Sequence, residues 1–309
     1  MQNSKLRVGI IGLGMVGDPI RRWFQEIKGY ARGRELFCFD IDVKKGFQDD
    51  INKADVIFIA VPTPSPKGGG ADLSILHAAI KTVADGKIIV IKSTVPPGTS
   101  EALQKKYPKK KFIFSPEFLT ESQVWLDFSR PDRQIFGPTE HARDSVKEVQ
   151  MLLPMAPFSR PWSSDYTKKE VTATEAELAK YASNVFGYIK VIYGNILADM
   201  CTALGINYES VREIMSADPR IGPAWLDVSH GNYCGAGGFC FPKDMNALIE
   251  FAEKEIPVKY RDGVVVLKAV RDYNRKLLKK QNLSEEIVSK HDREIKVSSR
   301  KPARSPKES

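Results

Sequence analysis

The stretch Val8-Gly9-Ile10-Ile11-Gly12-Leu13-Gly14-Met15-Val16-Gly17 decides the fold that the sequence predicts. It joins an apolar run, typical of a buried strand, to the pattern GxGxxG and then to a helical stretch. Gly12 permits a tight turn, Gly14 lets the backbone approach a pyrophosphate, and Gly17 lets the helix pack close to the strand. We therefore expect a dinucleotide-binding turn, with the pyrophosphate at the helix N-terminus. A glycine-rich turn in another kind of α/β protein is the alternative.

An acidic residue at the end of the next predicted strand indicates which dinucleotide binds. Asp40 lies 23 residues after Gly17 and directly follows the β-rich run Leu36–Phe39. A carboxylate at this place accepts hydrogen bonds from a ribose diol and repels a 2′-phosphate. The sequence therefore favours NAD over NADP as the cofactor.

Short β-rich runs alternate with helix-length segments in the first 140 residues. The predicted strands are Arg7–Ile11, Leu36–Phe39, Val56–Val61, Ile88–Ile91 and Lys111–Phe114, with Gln134–Gly137 as a candidate sixth. This order predicts βαβ units and an α/β fold with a Rossmann-like, doubly wound parallel sheet. The segment Pro154–Ser164 contains three prolines, which indicate a linker or an irregular edge.

A helical pattern from about Thr174 to Leu204 predicts a second, all-helical domain built on one long central helix. Thr174 and Glu177 form a candidate capping box at its start. The apolar residues that recur at three- and four-residue steps are Leu178, Tyr181, Val185, Ile189, Ile192, Ile196 and Met200. Since one small domain does not easily cover so long a stripe, we expect a homodimer through this domain. Further helices are predicted at Tyr208–Ser216, Pro242–Lys254 and Arg261–Lys280.

The predicted domains are an NAD-binding domain, residues 1–165, a helical dimerisation domain, residues 166–283, and a disordered basic tail, residues 284–309. The longest purely apolar run has six residues, whereas a membrane span needs about 20. The net charge of +9 fits nucleic acid, a membrane surface or a small polyanion such as a nucleotide, and composition does not choose among them. A solvated tail is the commoner explanation for the basic run near the end, so nucleic acid is not the expected partner. Four cysteines are too few for a disulfide scaffold, so the cytoplasm is the expected compartment.

The stretch Gly237–Asp244 places a thiol, Cys240, just before a predicted helix. Pro242 suits the first position of that helix. The helix N-terminus and the neighbouring Lys243 would lower the pKa of such a thiol and raise its thiolate fraction. A buried structural cysteine before a helix is an equally good interpretation of this segment alone.

Two further pairs of polar residues have the spacing of a site. Lys180 and Asn184 project from one face of the long helix, although spacing alone favours a solvated pair. Glu117 and Glu121 follow the strand Lys111–Phe114, at the edge where α/β folds place their sites. They suit acid/base chemistry or are exposed turn charges. The histidines show no metal-ligand spacing, so no metal is expected.

In this order the motifs resemble the UDP-glucose/GDP-mannose dehydrogenase family over residues 6 to 280. The strings that carry the resemblance after GxGxxG are Ala54–Pro64, Ala71–Ser74, Lys92–Thr99, Pro116–Glu121, Pro131–Arg133, Glu177–Lys180 with Asn184, Asp218–Gly222 and Gly237–Asp244. The resemblance implies oxidation of the C6 alcohol of a nucleotide sugar to the carboxylate, as from UDP-glucose to UDP-glucuronate, with two NAD⁺.

The resemblance also implies residue roles. Cys240 is the nucleophile, through a thiohemiacetal and a thioester; Lys180 and Asn184 stabilise the oxyanion. Asp244 and Thr94 hold a water, and Glu117 or Glu121 acts as acid/base. The implied substrate contacts are Glu117, Phe118, Leu119, Lys180, Asn184, Gly237 and Arg220, the last across a dimer interface. The implied cofactor contacts are Gly12, Gly14, Met15, Val16, Gly17, Asp40, Thr63, Thr94, Glu121 and Lys243.

Two features depart from the family's pattern. Only 13 residues separate Asp40 from Ala54, where the family has a longer insert. The residues after 283 are too few for the third domain that the resemblance implies, since a domain has about 150 residues. Two alternatives follow. One is a β-hydroxyacid-type dehydrogenase, which needs no cysteine. The other is a non-catalytic NAD-binding remnant or partner subunit.

Overall fold

The computed structural model describes residues 5–66, 70–160, 171–230 and 232–289. Its contacts divide the chain into two compact units. Unit 1 comprises Met1–Pro66 and Ala71–Lys180, and unit 2 comprises Lys67–Gly70 and Tyr181–Ser309. The predicted boundary between residues 165 and 166 falls in the stretch 161–170, outside the described residues, and stays a prediction.

Unit 1 is built on a six-stranded sheet. Its strands, in order across the sheet, are β2 (Leu36–Phe39), β1 (Val8–Ile11), β3 (Val56–Ile59), β4 (Ile88–Ile91), β5 (Lys111–Phe114) and β7 (Gly137–Pro138). The first five are parallel, and β7 is antiparallel to β5. The strand order reverses between β1 and β3, and this places the turn after β1 at the crevice where such sheets bind ligands.

The helices of unit 1 cover both faces of this sheet. They are α1 (Gly17–Arg22), α2 (Ser74–Thr82), α3 (Thr99–Lys106), α4 (Val124–Ser129) and α5 (Val146–Leu152). Neighbouring strand residues point to opposite faces, so that Ile10 and Phe58 belong to one core cluster while Ile57 and Ile59 belong to the other. The predicted Rossmann-like α/β architecture is therefore confirmed.

The crossover from β2 to β3 departs from the usual βαβ pattern. Parallel strands are normally joined through an α-helix. Here the link is short and contains two 3₁₀ turns instead, Val43–Lys45 and Ile51–Lys53. The segment Phe47–Asp49 runs back along the outer edge of β2, where Phe39 and Gln48 form an antiparallel bridge.

Helices make up most of the described part of unit 2. The helices are α6 (Ala173–Leu204), whose first residues belong to unit 1, then α7 (Tyr208–Ser216), α8 (Phe241–Glu255), α9 (Val264–Lys280) and α10 (Glu285–Val288). A small hairpin, β9 (Ser229–His230) with β10 (Tyr233–Cys234), was not predicted. The core of unit 2 packs Tyr188 and Val191 of α6 against Met245 and Ile249 of α8.

The capping box that was predicted for the start of the long helix is wrong. The hydroxyl of Thr172 accepts a hydrogen bond from the Glu175 N–H at 3.2 Å, and the Glu175 carboxylate accepts one from the Thr172 N–H at 2.7 Å. The capping box is therefore Thr172–Glu175 and not Thr174–Glu177. At the two ends of the predicted apolar stripe, Leu178 and Met200 are 46% and 55% exposed, so the stripe is not fully covered within one chain.

The predicted disordered tail is wrong for its first residues. The Ser284 side chain accepts a hydrogen bond from Ile287 N–H, and so caps α10. Val288 is completely buried, in a cluster with Tyr233 and Leu278. Residues 290–309 lie outside the described part of the chain.

Three further details of the sequence prediction are also wrong. The candidate strand Gln134–Gly137 is two strands: β6 (Arg133–Ile135) pairs with β8 (Phe158–Arg160) in a separate small sheet, while β7 joins the main one. β8 itself lies within the segment that was expected to be irregular. The helix expected from Arg261 begins at Val264, after a 3₁₀ turn.

Candidate functional site

The backbone of the turn after β1 fits a pyrophosphate group. Gly12 has a φ of +88°, and a Cβ on this residue would lie 2.7 Å from the carbonyl oxygen of Ala60. A Cβ on Gly17 would lie 1.8 Å from the carbonyl oxygen of Gly12, a contact that only glycine permits. Nothing lies within 4 Å of the Cβ position of Gly14, so the space there is open. The turn therefore fits the dinucleotide that its sequence pattern predicts.

The Asp40 carboxylate is held beside this turn by three donors. The Leu13 N–H and the Lys45 ammonium donate to Oδ2 at 2.7 Å and 2.9 Å, and the Asp42 N–H donates to Oδ1 at 2.9 Å. Burial opposes ionisation, but these hydrogen bonds outweigh it and lower the pKa of Asp40. The sequence analysis missed Lys45, whose only signal is a basic residue on the turn after the acidic one.

The loops after β3 and β4 are fastened to each other at the same edge of the sheet. The Thr63 hydroxyl donates to the carbonyl of Thr94 at 2.7 Å, and the Ser93 hydroxyl donates to the carbonyl of Val61 at 2.7 Å. Thr63 is buried and Thr94 is half-buried. Thr63 and Thr94, which were both predicted as site residues, therefore lie in two loops that are hydrogen-bonded to each other.

A buried ion pair fixes Glu117 after β5. The Lys92 ammonium pairs with the Glu117 carboxylate, and these side chains are 0% and 10% exposed. The same ammonium lies 3.1 Å from the Ser115 hydroxyl. Burial lowers the pKa of Lys92, while Glu117 opposes this change. The positive charge of Lys92 thus compensates a negative charge on Glu117. No role was predicted for Lys92, although it lies in one of the motifs that carry the family resemblance.

Lys180 joins the start of α6 to the segment that carries Glu117. Its ammonium donates to the Glu117 carbonyl at 2.6 Å and lies 5.2 Å from the centre of the Phe118 ring. The Arg133 guanidinium lies 3.8 Å from the centre of that ring. Two cations therefore contact one aromatic side chain. Lys180 is only 9% exposed, so the solvated interpretation of this residue is wrong.

The remaining residues of this segment are less enclosed. Leu119 is partly buried against the core cluster that contains Ile10. Glu121 is exposed at the start of a 3₁₀ turn, Glu121–Gln123. Met15 and Val16 are half-buried in the glycine turn. The roles assigned to these residues stay predictions.

Glu177 caps the N-terminus of α3. Its two carboxylate oxygens accept hydrogen bonds from the N–H groups of Gly98 and Ser100 at 2.6 Å and 2.8 Å. Burial raises the pKa of Glu177 to about 7, although the hydrogen bonds oppose this change. The carboxylate expected to cap its own helix therefore caps another helix of unit 1.

Glu177 should make stability depend on pH. Its pKa is above the ordinary 4.5, so its stabilising contribution is complete below about pH 4.5 and is lost as the pH rises through about 7. We expect the unfolding free energy of the native protein to fall over this range by up to about 3 kcal/mol relative to Glu177→Gln. Denaturant unfolding at pH 5 and pH 8 measures this, with the exposed Glu148→Gln as control. Equal pH dependence in the native and Glu177→Gln proteins would contradict the assignment.

In unit 2, Asp244 organises the start of α8. It is completely buried, and it accepts hydrogen bonds from the Asn184 amide and the Lys243 ammonium, each at 2.5 Å. Its own N–H donates to the Cys240 carbonyl at 2.9 Å. Asp244 therefore brings Asn184 and the backbone of Cys240 to the same end of α8. The solvated interpretation of Asn184 is also wrong.

Cys240 is the residue before the first turn of α8 and is half-buried, with Pro242 inside that turn. All four cysteines lie in the described part of the chain and none forms a disulfide, and Cys240 alone is at a helix N-terminus. Burial raises the pKa of Cys38 to about 12. Of the four thiols, Cys240 has the surroundings that suit a nucleophile.

Arg220 and Gly237 have contrasting surroundings. The Arg220 side chain is 88% exposed and forms a 2.6 Å ion pair with Asp218. A Cβ on Gly237 would lie 2.0 Å from the Tyr233 hydroxyl, so the chain is packed closely there. Among the described residues, no group of acidic, histidine and cysteine side chains could hold a metal ion. None of the described helices has the length and apolar character of a membrane span.

Both parts of the chain match models of known protein families. Residues 41–152 match the NAD binding domain of the UDP-glucose/GDP-mannose dehydrogenase family, and residues 174–276 match the central domain of that family. UDP-glucose 6-dehydrogenase of Rhizobium meliloti is 36% identical over 317 residues, covering 88% of this chain and 68% of that protein. The enzyme of the same name from Pseudomonas aeruginosa is 36% identical over 232 residues, covering 70% and 48%. The chain spans about half to two thirds of the length of such relatives.

Solved structures show the same fold. A UDP-glucose dehydrogenase from Pyrobaculum islandicum superposes with a TM-score of 0.70 at 26% identity, covering 91% of this chain and 73% of that one. A UDP-D-ManNAc dehydrogenase from Pyrococcus horikoshii superposes with a TM-score of 0.71 at 22% identity, covering 90% and 70%. The second likeness concerns the fold alone.

Proposed function

The chain belongs to the UDP-glucose/GDP-mannose dehydrogenase family, and from this premise we propose that it oxidises the C6 alcohol of a nucleotide sugar to the carboxylate with NAD⁺. UDP-glucose is the proposed substrate and UDP-glucuronate the product. One observation carries the proposal: Cys240 stands at the start of α8, and Asp244 joins that helix start to Asn184. The relatives named UDP-glucose 6-dehydrogenase, at 36% identity, support this choice of sugar.

The glycine turn and Asp40 are the residues that would hold NAD. The turn offers open space at Gly14 and an anion-binding helix start, and the ionised Asp40 suits a ribose diol. When bound there, NAD⁺ would supply the hydride acceptor for each of the two oxidations at C6. The further proposed contacts are Met15, Val16, Thr63, Thr94, Glu121 and Lys243.

The chain's own part in the reaction centres on the Cys240 thiolate. Its sulfur adds to the C6 aldehyde left by the first oxidation, forming a C–S bond and an oxyanion, which becomes a thiohemiacetal. Asn184 and Lys180 stabilise that oxyanion by donating hydrogen bonds. The second oxidation leaves a thioester on Cys240. Water then attacks its carbonyl carbon, the C–S bond breaks, and the thiolate is released with the carboxylate product. Covalent capture prevents loss of the aldehyde.

Carboxylates are proposed to orient and activate the water that hydrolyses the thioester. Asp244 is completely buried and paired with Lys243, and it is proposed to orient the water together with Thr94. Either Glu117 or Glu121 is proposed as the acid/base group for hydrolysis of the thioester. Phe118, Leu119, Gly237 and Arg220 are proposed to contact the substrate.

The stoichiometry of NADH formation tests the function. With limiting UDP-glucose and excess NAD⁺, we expect two NADH for each sugar consumed, because both oxidations occur before release. Absorbance at the NADH band measures this across a panel of UDP- and GDP-sugars. One NADH from a β-hydroxyacid, with none from nucleotide sugars, favours the β-hydroxyacid-type dehydrogenase. Calorimetric NAD binding without turnover of any compound favours the non-catalytic alternative.

We also propose that the protein is a homodimer through unit 2. Phe186, Tyr193 and Met200 of α6 follow one another at seven-residue intervals and are 60%, 50% and 55% exposed. Residues two turns apart share one face of a helix, so these side chains form an exposed apolar stripe. Sedimentation at micromolar concentration tests the proposal, which a monomer would contradict. The cytoplasm is the proposed compartment, since the nucleophile must stay reduced.

A further inference from the structure

The backbone that leads to Cys240 is bonded at three alternate residues by groups from α9 and the chain after it. Gln281 bonds twice to Cys234: its Oε1 accepts from the Cys234 N–H at 2.8 Å, and its Nε2 donates to the Cys234 carbonyl at 2.9 Å. Asn274 bonds to Ala236 in the same double manner, each bond 2.9 Å. The Val288 carbonyl accepts from the Gly238 N–H at 2.8 Å.

Two of these three supports, Asn274 and the end of α10, are buried and closely fitted. Asn274 and Val288 are both completely buried. Gly235 has a φ of +112°, and a Cβ on it would lie 2.7 Å from the Asn274 amide oxygen. The amide thus occupies the space that a side chain at position 235 would need. The loop and its supports are consequently packed as one body.

The segment after α9 is fixed in turn. The Arg275 guanidinium donates to the Glu285 carboxylate at 2.9 Å and to the Asn246 side-chain oxygen at 3.1 Å. These bonds join α9, α10 and α8, the last being the helix that Cys240 precedes. Val288 is the last residue of α10, so the chain after Ser284 takes part in supporting the loop.

The composition of the loop explains why it needs such support. The stretch Gly235–Cys240 contains three glycines, and glycine leaves the unbound backbone free to adopt many conformations. A nucleophile, in contrast, must be held within a fraction of an ångström of its attacking geometry. Hydrogen bonds at alternate residues restrict the glycine-rich backbone without placing side chains near the sulfur.

We propose that Asn274 and Gln281, with α10 behind them, are positioning residues that fix the orientation of Cys240. This inference rests on the proposed function for the role of the thiol. Neither amide contacts a reacting atom in the proposed mechanism; each acts through the backbone of Cys234 or Ala236. Their loss should therefore impair the nucleophile while NAD binding by the glycine turn stays unchanged.

The test compares Asn274→Ala and Gln281→Glu with the native full chain. Gln281→Glu keeps the acceptor for the Cys234 N–H and loses the donor to its carbonyl. The matched control is Asn195→Ala, which removes a buried amide of α6 that bonds to the Val191 carbonyl of its own helix at 2.8 Å. The measurements are kcat and KM for UDP-glucose, NAD affinity, and the iodoacetamide alkylation rate of Cys240, read from its peptide by mass spectrometry.

For Asn274→Ala we expect kcat to fall at least tenfold, KM and NAD affinity to change less than twofold, and the Cys240 alkylation rate to change at least threefold. Gln281→Glu should show the same pattern to a smaller extent, and Asn195→Ala should stay within twofold of the native protein throughout. Native kcat and alkylation rates in both variants would overturn the proposal, as would equal effects in Asn195→Ala.

The two proposals fail separately. If the native protein turns over no nucleotide sugar, the proposed function fails, yet the alkylation rate still reports the position of the thiol. Altered alkylation in Asn274→Ala with native alkylation in Asn195→Ala then supports the positioning role, and unchanged alkylation overturns it. If Asn274→Ala does not fold, Gln281→Glu gives the decision, because that side chain is only half-buried.

Discussion

Replacement of Cys240 by serine is expected to reduce the steady-state formation of UDP-glucuronate from UDP-glucose by about a thousandfold or more. A serine hydroxyl at neutral pH is a far weaker nucleophile than a thiolate, so the aldehyde is not captured and the second oxidation has no thiohemiacetal to act upon. The substitution changes one atom at the start of α8. The buried Asp244 and its bond to Asn184 should therefore persist.

Two measurements separate this result from a folding defect. NAD affinity should be unchanged, because the proposed cofactor contacts do not include Cys240. Cys234→Ser is the matched control, since it alters another free cysteine six residues away and should keep native turnover. A Cys240→Ser protein that keeps a tenth of the native rate of UDP-glucuronate formation would rule out the covalent mechanism.

Replacement of Lys92 by methionine is expected to lower the unfolding free energy of unit 1 by about 3–5 kcal/mol. The methionine fills nearly the same volume, so the loss comes from charge. Without Lys92, the Glu117 carboxylate is left buried without its cation, and the Ser115 hydroxyl loses its partner at 3.1 Å. Removing one member of a buried pair costs far more than replacing both.

The double variant Lys92→Met/Glu117→Leu gives the decisive comparison. It leaves no unpaired charge and should regain most of the lost stability, so the two changes are strongly non-additive. Denaturant unfolding of both variants measures this effect, and the exposed Lys105→Met serves as control. A Lys92→Met protein within about 1 kcal/mol of the native value would mean that the pair contributes little.

The sheet could be predicted because parallel strands buried on both faces are continuous apolar runs. The position of the capping box could not be predicted from the sequence. Thr172 and Glu175, like Thr174 and Glu177, have the required spacing, so the local pattern fits both pairs. The choice depends on α3, whose free N–H groups bind the Glu177 carboxylate.

The site was predicted unevenly for a similar reason. Cys240 and Asp244 lie four residues apart in one motif, so the sequence alone places both at the start of the same predicted helix. Lys92 and Glu117 come from neighbouring strands β4 and β5, so their pairing needs the register of the sheet. Asn274 lies 38 residues from its partner Ala236, and nothing in a polar helix face indicates such a bond.

The short crossover after β2 has a consequence for aggregation. An edge strand with unpaired N–H and C=O groups is a template for another chain. The crossover occupies that edge: Asp40 N–H donates to Phe47 O at 2.9 Å, and Asp49 N–H donates to Cys38 O at 3.0 Å. At the opposite edge, β7 has two residues and ends in Pro138, which has no N–H to offer. Few unpaired backbone N–H and C=O groups therefore remain at either edge of the sheet, and this disfavours amyloid-like strand addition in concentrated protein.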